Sequence, residues 1–208
     1  MSGPAFGDLQ TGCDVLASRD PALRRAYEAR GVPAWRVAPA TYATLARLIV
    51  FQQISTIAGA AIWRRIEQAI QPLEAETLLQ ASDETLRSCG LSRPKMGHLR
   101  AIAAACQAGT LDPAALAEAP AGIAHEALVS VRGVGPWTAN LFRLYAAGDL
   151  DAFPQGDLGL LESHRQLSGA AQRLDRDAFN VLAEDWRPYR GVAAHLLWDW
   201  LNHQRGTA

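Results

Sequence analysis

The 208-residue sequence predicts an all-α protein of about ten helices. Apolar residues recur every three or four positions through most segments, which is the spacing of an amphipathic helix. Start and stop signals separate these segments: serine or aspartate before an apolar run, proline at a first helical position, glycine after a last turn. We find no convincing alternation of apolar and polar residues, so no strand is expected.

The first predicted helix begins at Asp20-Pro21, an N-cap followed by proline, and ends at Gly31. Residues 1–19 are expected to form a flexible tail. After the connector VPAWRVAP, helical spacing resumes at Thr41 and breaks near Gln52-Gln53.

A helix capped by Ser55 and closed by Pro72 follows the break. Its inward face is expected at Ile57, Ala61, Ile62, Ile66 and Ile70. Further helices are predicted at about 74–81 and 83–88, from Ser92 to Gly109, from Asp112, at about 121–130, from Pro136 through WTANLFRLYAA, and near 158–167, 177–185 and 188–204.

Composition and charge limit the classes of function. The net charge is -1, which excludes a histone-like or broadly polybasic binder but leaves room for one local basic face. No apolar stretch approaches the ~20 residues of a membrane span, and the N-terminus shows no secretory signal pattern. A cytoplasmic, intracellular protein without a membrane partner is therefore expected. The candidates for the basic face are Arg64, Arg93, Arg100 and Arg132.

The three cysteines, Cys13, Cys89 and Cys106, are few and scattered, so they predict no disulfide framework. No C-x-x-C pair or Cys/His cluster suggests zinc or an iron–sulfur cluster, and neither is expected. The chain has a single lysine, Lys95, for which a solvated position in a first helical turn is the favoured interpretation.

The segment SVRGVGPWTANLF has two glycines, Gly133 and Gly135, between two helical patterns. Glycine permits positive φ and close backbone approach, and Pro136 suits the start of the next helix. The amides of Val134 and Gly135, with the hydroxyl of Thr138, could then point together at a phosphate. A tight turn between two packed helices explains the glycines equally well.

Two other features follow along the chain. Asp157 precedes a helix in DAFPQGDLGL, where an N-cap is the simpler interpretation and a carboxylate facing a cleft is the functional one. The segment WRPYR leads into HLLWDWLN, where Trp198 and Trp200 cannot point to the same face of one helix. Taken alone, these tryptophans are interpreted as core residues.

The three features in this order resemble the helix–hairpin–helix (HhH-GPD) DNA glycosylase superfamily, and most closely its 3-methyladenine DNA glycosylase II (AlkA-like) branch. RLIVFQQIS, from Arg47, is similar to that family's R-x-I-x-x-Q-Q-x-S element, and GLSRPK, from Gly90, to its G-L-S-x-x-K element. The resemblance runs from about residue 20 to residue 204. It implies two helical lobes with a DNA-binding cleft between them, within a single domain of residues 20–205.

The resemblance also implies lobe boundaries. One lobe spans about 40–145 and contains the hairpin at about 121–147. The second combines 20–39 with 146–205.

The resemblance assigns roles to several residues. The family's catalytic acid falls on Asp157, where a carboxylate stabilises the oxocarbenium-like sugar left by a departing base. Bifunctional relatives carry a Schiff-base lysine where this chain has Trp137, so water is expected to attack and no strand cleavage is expected. Trp137 and Trp198 match pocket tryptophans that would stack on a cationic base. Leu141 and Asp199 replace pocket aromatics, which leaves the range of lesions open.

Three further expectations come from the same resemblance. Gln53 matches the position of a wedge that fills the gap left by a flipped base, although a glutamine bonding backbone at a helix end explains it equally well. A structural Na⁺ or K⁺ would be held by the carbonyls of Val129, Val131 and Val134. Catalysis needs no cofactor, and the protein is expected to act as a monomer on double-stranded DNA that carries damaged bases.

The sequence thus predicts a monofunctional glycosylase that releases alkylated purines such as 3-methyladenine and 7-methylguanine. Two alternatives stay open: a glycosylase for deaminated or oxidised bases, and a non-catalytic helix–hairpin–helix module that binds DNA. A pure binder needs neither Asp157 nor Trp137.

Overall fold

The computed structural model describes residues 3–206, and every element in that range is helical. The α-helices are α1 (Phe6–Arg19), α2 (Pro21–Arg30), α3 (Tyr42–Phe51), α4 (Thr56–Ala69), α5 (Ala75–Gln80), α6 (Asp83–Ser88), α7 (Arg93–Gln107), α8 (Pro113–Glu118), α9 (Ala121–Val129), α10 (Pro136–Phe142), α11 (Leu158–Ser168), α12 (Arg176–Glu184) and α13 (Arg190–Gln204). A short π-helical segment, Arg143–Ala147, continues α10. The prediction of an all-α protein is confirmed.

Most helices begin and end where local chemistry predicts. Asp20 caps α2 by accepting the backbone N–H groups of Ala22 and Leu23, and Pro21 takes the first helical position. Ser55 and Ser92 cap α4 and α7 in the same way. These short-range signals therefore located the helix starts without knowledge of the tertiary packing.

The expected N-terminal tail is wrong for the residues that the structure describes. Residues Phe6–Arg19 form α1, which buries Leu9, Cys13 and Leu16 against the core of its unit. Composition gave no warning because α1 carries Thr, Gly and Asp among its apolar residues, which weakens the periodic signal. Residues 1 and 2 of the expected tail lie outside the described range.

The chain divides into two compact units. The first takes in the described residues up to Val37 and those from Gly148 onward, so both ends of the chain contribute to it. In this unit α13 packs on α1, α2 and α11. Its core contains Trp186 of the WRPYR segment, fully buried among Phe153 and Phe179.

The second unit comprises Ala38–Ala147. In it α3 packs against α4, α7 and α10, and α10 packs against α9. Leu45, Ile49 and Leu99 are fully buried at these contacts. The cleft and the lobe assignments of the sequence analysis stay predictions.

Helix α4 shows where periodicity misled. Ile57 is 84% exposed, whereas Ile66 and Ile70 are buried as expected. Gly59 and Trp63 take the inward face of the first turns, with Gly59 lying close under the ring of Phe51. Ile57 lies in the first turn of α4. Its position matches the helical spacing, but no other part of its unit covers its side chain.

None of the helices within residues 3–206 combines the length and the apolar character needed to cross a bilayer.

Candidate active site

The hairpin between α9 and α10 uses its two glycines differently. Gly133 has φ of 96°, and a Cβ there would lie 2.4 Å from the Cβ of His98, so this position requires glycine. Gly135 has φ of -89° and caps α10, with open space where a Cβ would point. Positive φ was expected to be useful at both positions, but the structure needs it only at Gly133.

One of the predicted phosphate donors is used inside the hairpin instead, and another is buried. The Val134 N–H donates to the carbonyl of Val131 at 3.0 Å, and Thr138 is only 1% exposed. The Thr138 hydroxyl accepts a hydrogen bond from Gln52 Nε2 at 2.8 Å. These contacts anchor the hairpin and engage the Val134 N–H, whereas a phosphate contact of the Thr138 hydroxyl stays a prediction. What is left for an anion is the N-terminus of α10 at Gly135 and Pro136, which no side chain caps.

Gln52 ties the end of α3 to this hairpin. Its Nε2 also donates to the carbonyl of Gly133 at 3.1 Å. One side chain thereby fixes both the strained glycine and the first turn of α10. Sequence reasoning gave Gln52 no separate role, although its place in the QQ pair of the family element was the available signal.

Gln53, the wedge candidate, is exposed and has φ of 56°. A non-glycine residue with positive φ is uncommon and marks a position that the surrounding structure holds in place. Ile54 and Ile57 beside it are exposed, at 36% and 84%. The turn thus presents an exposed glutamine with an uncommon backbone conformation, followed by two exposed apolar residues, which is compatible with the predicted wedge.

Lys95 binds the backbone just before the turn that contains Gln53. Its ammonium donates to the carbonyls of Val50 at 2.7 Å and Gln52 at 2.8 Å. These carbonyls lie at the end of α3, where a cation also offsets the negative end of the helix dipole. Burial lowers the pKa of the Lys95 ammonium. The favoured interpretation of a solvated lysine is therefore wrong. The sequence also did not indicate that Lys95 lies next to the turn that contains Gln53.

The predicted cation ligands can be tested for fit. Val129 ends α9, where the last carbonyls have no partner within the helix. The Val131 carbonyl accepts one hydrogen bond, from Val134, and a carbonyl oxygen has a second lone pair. Backbone oxygens of this kind are suitable ligands for Na⁺ or K⁺, and the cation site itself stays a prediction. Within residues 3–206 no group of three or more His, Cys, Asp or Glu side chains could hold a metal ion.

Asp157 lies in the other unit, at the N-terminus of α11. Its Oδ1 accepts the N–H groups of Gly159 at 2.9 Å and Leu160 at 3.1 Å, and the indole N–H of Trp198 at 3.3 Å. The carboxylate is thus both an N-cap and a partner of the predicted pocket tryptophan. The two interpretations that competed at the sequence level are compatible.

Gly159 makes this arrangement fit. A Cβ at Gly159 would lie 3.0 Å from the Asp157 carboxylate and 3.6 Å from Cδ1 of Trp198. A side chain at this position would crowd the Asp157 carboxylate, whereas its contact with Trp198 would be an ordinary van der Waals contact. A glycine two residues after an N-cap was visible in the sequence, but nothing local showed what it approaches.

The loop before Asp157 is held by a network of charges. Asp151 accepts from Arg190 Nη2 at 2.8 Å and from Arg187 Nη1 at 2.7 Å, and Arg190 also pairs with Glu184 at 2.6 Å. The Arg190 side chain is only 11% exposed, so its ion pair with Asp151 is largely shielded from solvent. The arginines of WRPYR therefore position the loop that carries Asp157.

The surroundings of Trp198 include a cavity of about 300 Å³ within the first unit. The residues that line it are Ala34, Trp35, Arg36, His195, Trp198, Asp199 and Asn202. Asp199, which stands where the family can carry an aromatic residue, is paired with Arg30 at 2.9 Å. The connector VPAWRVAP therefore contributes to this site, which its sequence did not indicate.

The remaining predicted site residues are on α10. Trp137 is partly buried in the first turn, and Leu141 is 4% exposed one turn later. The structure thus brings Asp157 and Trp198 together in one unit. It brings Gly133, Gln52 and Thr138 together in the other.

Of the four basic-face candidates, Arg64, Arg93 and Arg132 are exposed. Arg100 instead pairs with Asp83 at 2.6 Å and donates to the Ala81 carbonyl.

Comparison with known proteins agrees with the fold and with these motifs. The model of the HhH-GPD superfamily of base excision DNA repair proteins matches residues 46–188, and the chain belongs to this family. The match contains the hairpin and Asp157.

Relatives within the family are named for alkylation repair. The chain is 27% identical over 164 residues to DNA-3-methyladenine glycosylase 1 of Schizosaccharomyces pombe, covering 76% of this chain and 71% of that protein. The solved structure of a DNA-3-methyladenine glycosidase from Bacillus halodurans superposes with a TM-score of 0.77 at 29% identity, covering 94% and 91% of the two chains. The resemblance to 3-methyladenine glycosylases is confirmed.

A third relative is matched over a short segment. The probable bifunctional transcriptional activator/DNA repair enzyme AlkA of Mycobacterium tuberculosis is 43% identical over 76 residues, which are 36% of this chain and 15% of that protein. The aligned segment therefore spans less than a sixth of that relative.

Proposed function

We propose that this protein is a monofunctional DNA glycosylase that hydrolyses the N-glycosidic bond of alkylated purines, such as 3-methyladenine and 7-methylguanine, in base excision repair. The observation that carries the proposal is the Asp157 carboxylate, fixed by three hydrogen bonds to its Oδ1, one of them from the indole N–H of Trp198. A non-catalytic binder would not need a carboxylate held beside an aromatic wall.

Asp157 would act on the sugar. Departure of the base leaves positive charge on the anomeric carbon and ring oxygen, and a fixed carboxylate stabilises that charge without reorganising. The same group can orient the water that completes hydrolysis. Fixing Oδ1 by backbone and indole donors sets the carboxylate plane before the DNA arrives.

Attack by water, without strand cleavage, is supported by the lysine inventory. Trp137 occupies the position of the Schiff-base lysine of bifunctional relatives. The chain's single lysine, Lys95, donates to two backbone carbonyls at the end of α3. An amine held as a cationic hydrogen-bond donor is a poor nucleophile, because it must first lose its proton and its partners.

Selection of the base would depend on stacking. A flipped alkylated purine carries positive charge, and indole rings such as those of Trp137 and Trp198 attract it by cation–π interaction. Such a base also leaves easily, so the enzyme supplies only part of the barrier. Leu141 and Asp199 stand at two positions where the family pattern has aromatic residues, which keeps deaminated or oxidised bases as the second candidate class.

DNA binding would rest on the hairpin and on local cations. The N-terminus of α10, which no side chain caps, would receive a phosphate, with Na⁺ or K⁺ on the carbonyls of Val129, Val131 and Val134 as a structural support. Gln53 would fill the gap left by the flipped nucleotide. We further propose that the protein acts as a cytoplasmic monomer, associated with the nucleoid in a bacterium.

The test is base release from duplexes carrying 7-methylguanine under single-turnover conditions. Asp157→Asn should lower the excision rate by at least about 100-fold while duplex affinity is kept, because the charge is lost. Asparagine is as good an N-cap as aspartate, so α11 should remain folded. Asp177→Asn, at an exposed position on α12, is the matched control. Near wild-type excision by Asp157→Asn would refute the catalytic assignment.

A further inference from the structure

The connector before α3 is built into the wall around Trp198. The ring of Trp35 stacks on the ring of His195, with centroids 4.0 Å apart and an interplanar angle of 19°. His195 is 3% exposed, and its Nδ1–H donates to the Gly191 carbonyl at 2.9 Å. Its Nε2 is then the acceptor for the backbone N–H of Arg36, at 3.3 Å. The backbone of Arg36 is thereby fixed.

The fixed backbone places the Arg36 side chain on Trp198. Its guanidinium carbon lies 5.4 Å from the centroid of the Trp198 ring, within the range of a cation–π interaction. The edge of the same indole donates to Asp157. Trp198 therefore has a protein cation over its face and the candidate catalytic carboxylate at its edge.

From this arrangement we infer that Arg36 is a specificity-determining residue, which sets how strongly Trp198 favours a cationic base over a neutral one. The inference rests on the proposed function, in which Trp198 lines the base pocket. A guanidinium over one face of the indole repels a cationic base that stacks on the opposite face and competes with it for the negative charge of the ring. This weakens the stacking of a cationic purine and leaves a neutral purine nearly unaffected.

The expected consequence is that Arg36 weakens the selection for cationic bases and widens the range of lesions that the pocket accepts. With Arg36 present, the preference of the pocket for cationic bases is damped, and neutral lesions compete better. Without its charge, Trp198 should discriminate more strongly. Arg36 thus acts on the choice of base through Trp198 rather than on bond cleavage itself.

The experiment compares single-turnover excision of 7-methylguanine and hypoxanthine from matched duplexes. Arg36→Met keeps the length and apolar stem but removes the charge, and it should raise the ratio of the two rates by about 2- to 30-fold, the range of one cation–π contact. Arg36→Lys keeps a cation and should leave the ratio near wild type. Arg24→Met removes a charge elsewhere in the same unit, from a guanidinium that donates to the end of α1.

The ratio separates specificity from general DNA affinity, which a lost positive charge lowers for both lesions alike. An unchanged or lower ratio in Arg36→Met, or an equal rise in Arg24→Met, would overturn the inference. A wild-type protein that excises neither lesion would instead overturn the proposed function.

A binding measurement decides the inference even in that case. Free 7-methylguanosine at mildly acidic pH, where it is cationic, and inosine are titrated against each variant by quenching of tryptophan fluorescence. Arg36→Met should gain affinity for 7-methylguanosine relative to inosine. Equal changes for the two nucleosides, or no binding of either by Arg36→Met, count against the role of Arg36.

Discussion

At the scale of single residues, the carboxylate of Asp157 both caps α11 and is the group to which we assign the proposed catalytic role. The backbone donors Gly159 and Leu160 and the indole of Trp198 all bond Oδ1. The cap therefore orients the carboxylate, and the orientation is what a charge-stabilising group requires. Capping of α11 and the proposed catalytic role of Asp157 are therefore compatible.

Lys95 allows a decisive residue-scale prediction about the chemistry. Borohydride added to wild-type protein and an abasic duplex should trap no covalent adduct, because the chain's one lysine is held by the carbonyls of Val50 and Gln52. The measurement is denaturing gel electrophoresis of labelled DNA. A trapped adduct that disappears in Lys95→Met would identify Lys95 as a Schiff-base nucleophile and contradict the monofunctional proposal. An adduct that persists would point to the N-terminal amine.

At the scale of elements, the two glycines of the hairpin are under different constraints. Gly133 is confined by φ of 96° and by His98, whereas Gly135 faces open space where DNA would approach. Gln52 links the hairpin to the end of α3, and Lys95 holds that end in place. The turn that contains Gln53 and the hairpin are therefore joined by hydrogen bonds within their unit.

The two glycines should respond differently to alanine. Gly133→Ala should lower the free energy of unfolding by roughly 1–3 kcal/mol, because it adds both strain and a collision. Gly135→Ala should cost less than about 1 kcal/mol, since only a helix cap changes. Gly135→Ala should nevertheless weaken duplex binding, equally for damaged and undamaged DNA, because the added methyl group would occupy the space through which the proposed phosphate contact is made.

The measurements are urea unfolding and fluorescence anisotropy with labelled duplexes. Normal duplex binding by Gly135→Ala would show that the phosphate lies elsewhere. Wild-type stability of Gly133→Ala would show that the backbone there can relax.

At the scale of the whole molecule, the buried imidazole of His195 links stability to pH. Burial, with a smaller contribution from the nearby Arg36 charge, lowers the pKa of His195 from 6.5 to about 4. Between these values the unfolded chain binds a proton that the folded chain does not. Stability should therefore fall as the pH drops from 6.5 towards 4 and lose no more from this group below that range.

The loss attributable to His195 should be at most about 3 kcal/mol. Urea unfolding across this pH range measures it, and His195→Gln should show a shallower slope because it carries no titrating group. His203→Gln, at an exposed position on the same helix, is the matched control. Parallel slopes for wild type and His195→Gln would mean that the buried ring does not govern acid sensitivity.

The sequence by itself determined the features that depend on short-range chemistry. Caps such as Asp20, Ser55 and Ser92 act within three residues, so they located helix starts. The hairpin glycines, Asp157 and Trp198 were recognised because their order along the chain is the signature of the family. The all-α class follows from the same local periodicity.

Only the tertiary structure decided what each recognised residue touches. Thr138 anchors the hairpin, Lys95 binds the end of α3 and Arg36 lies over Trp198, all through partners 43 to 162 positions away along the chain. Helix α1 became ordered because α2 and α13 cover its apolar side. Burial and long-range hydrogen bonds depend on which distant segments meet, and periodicity or capping within one segment carries no information about that meeting.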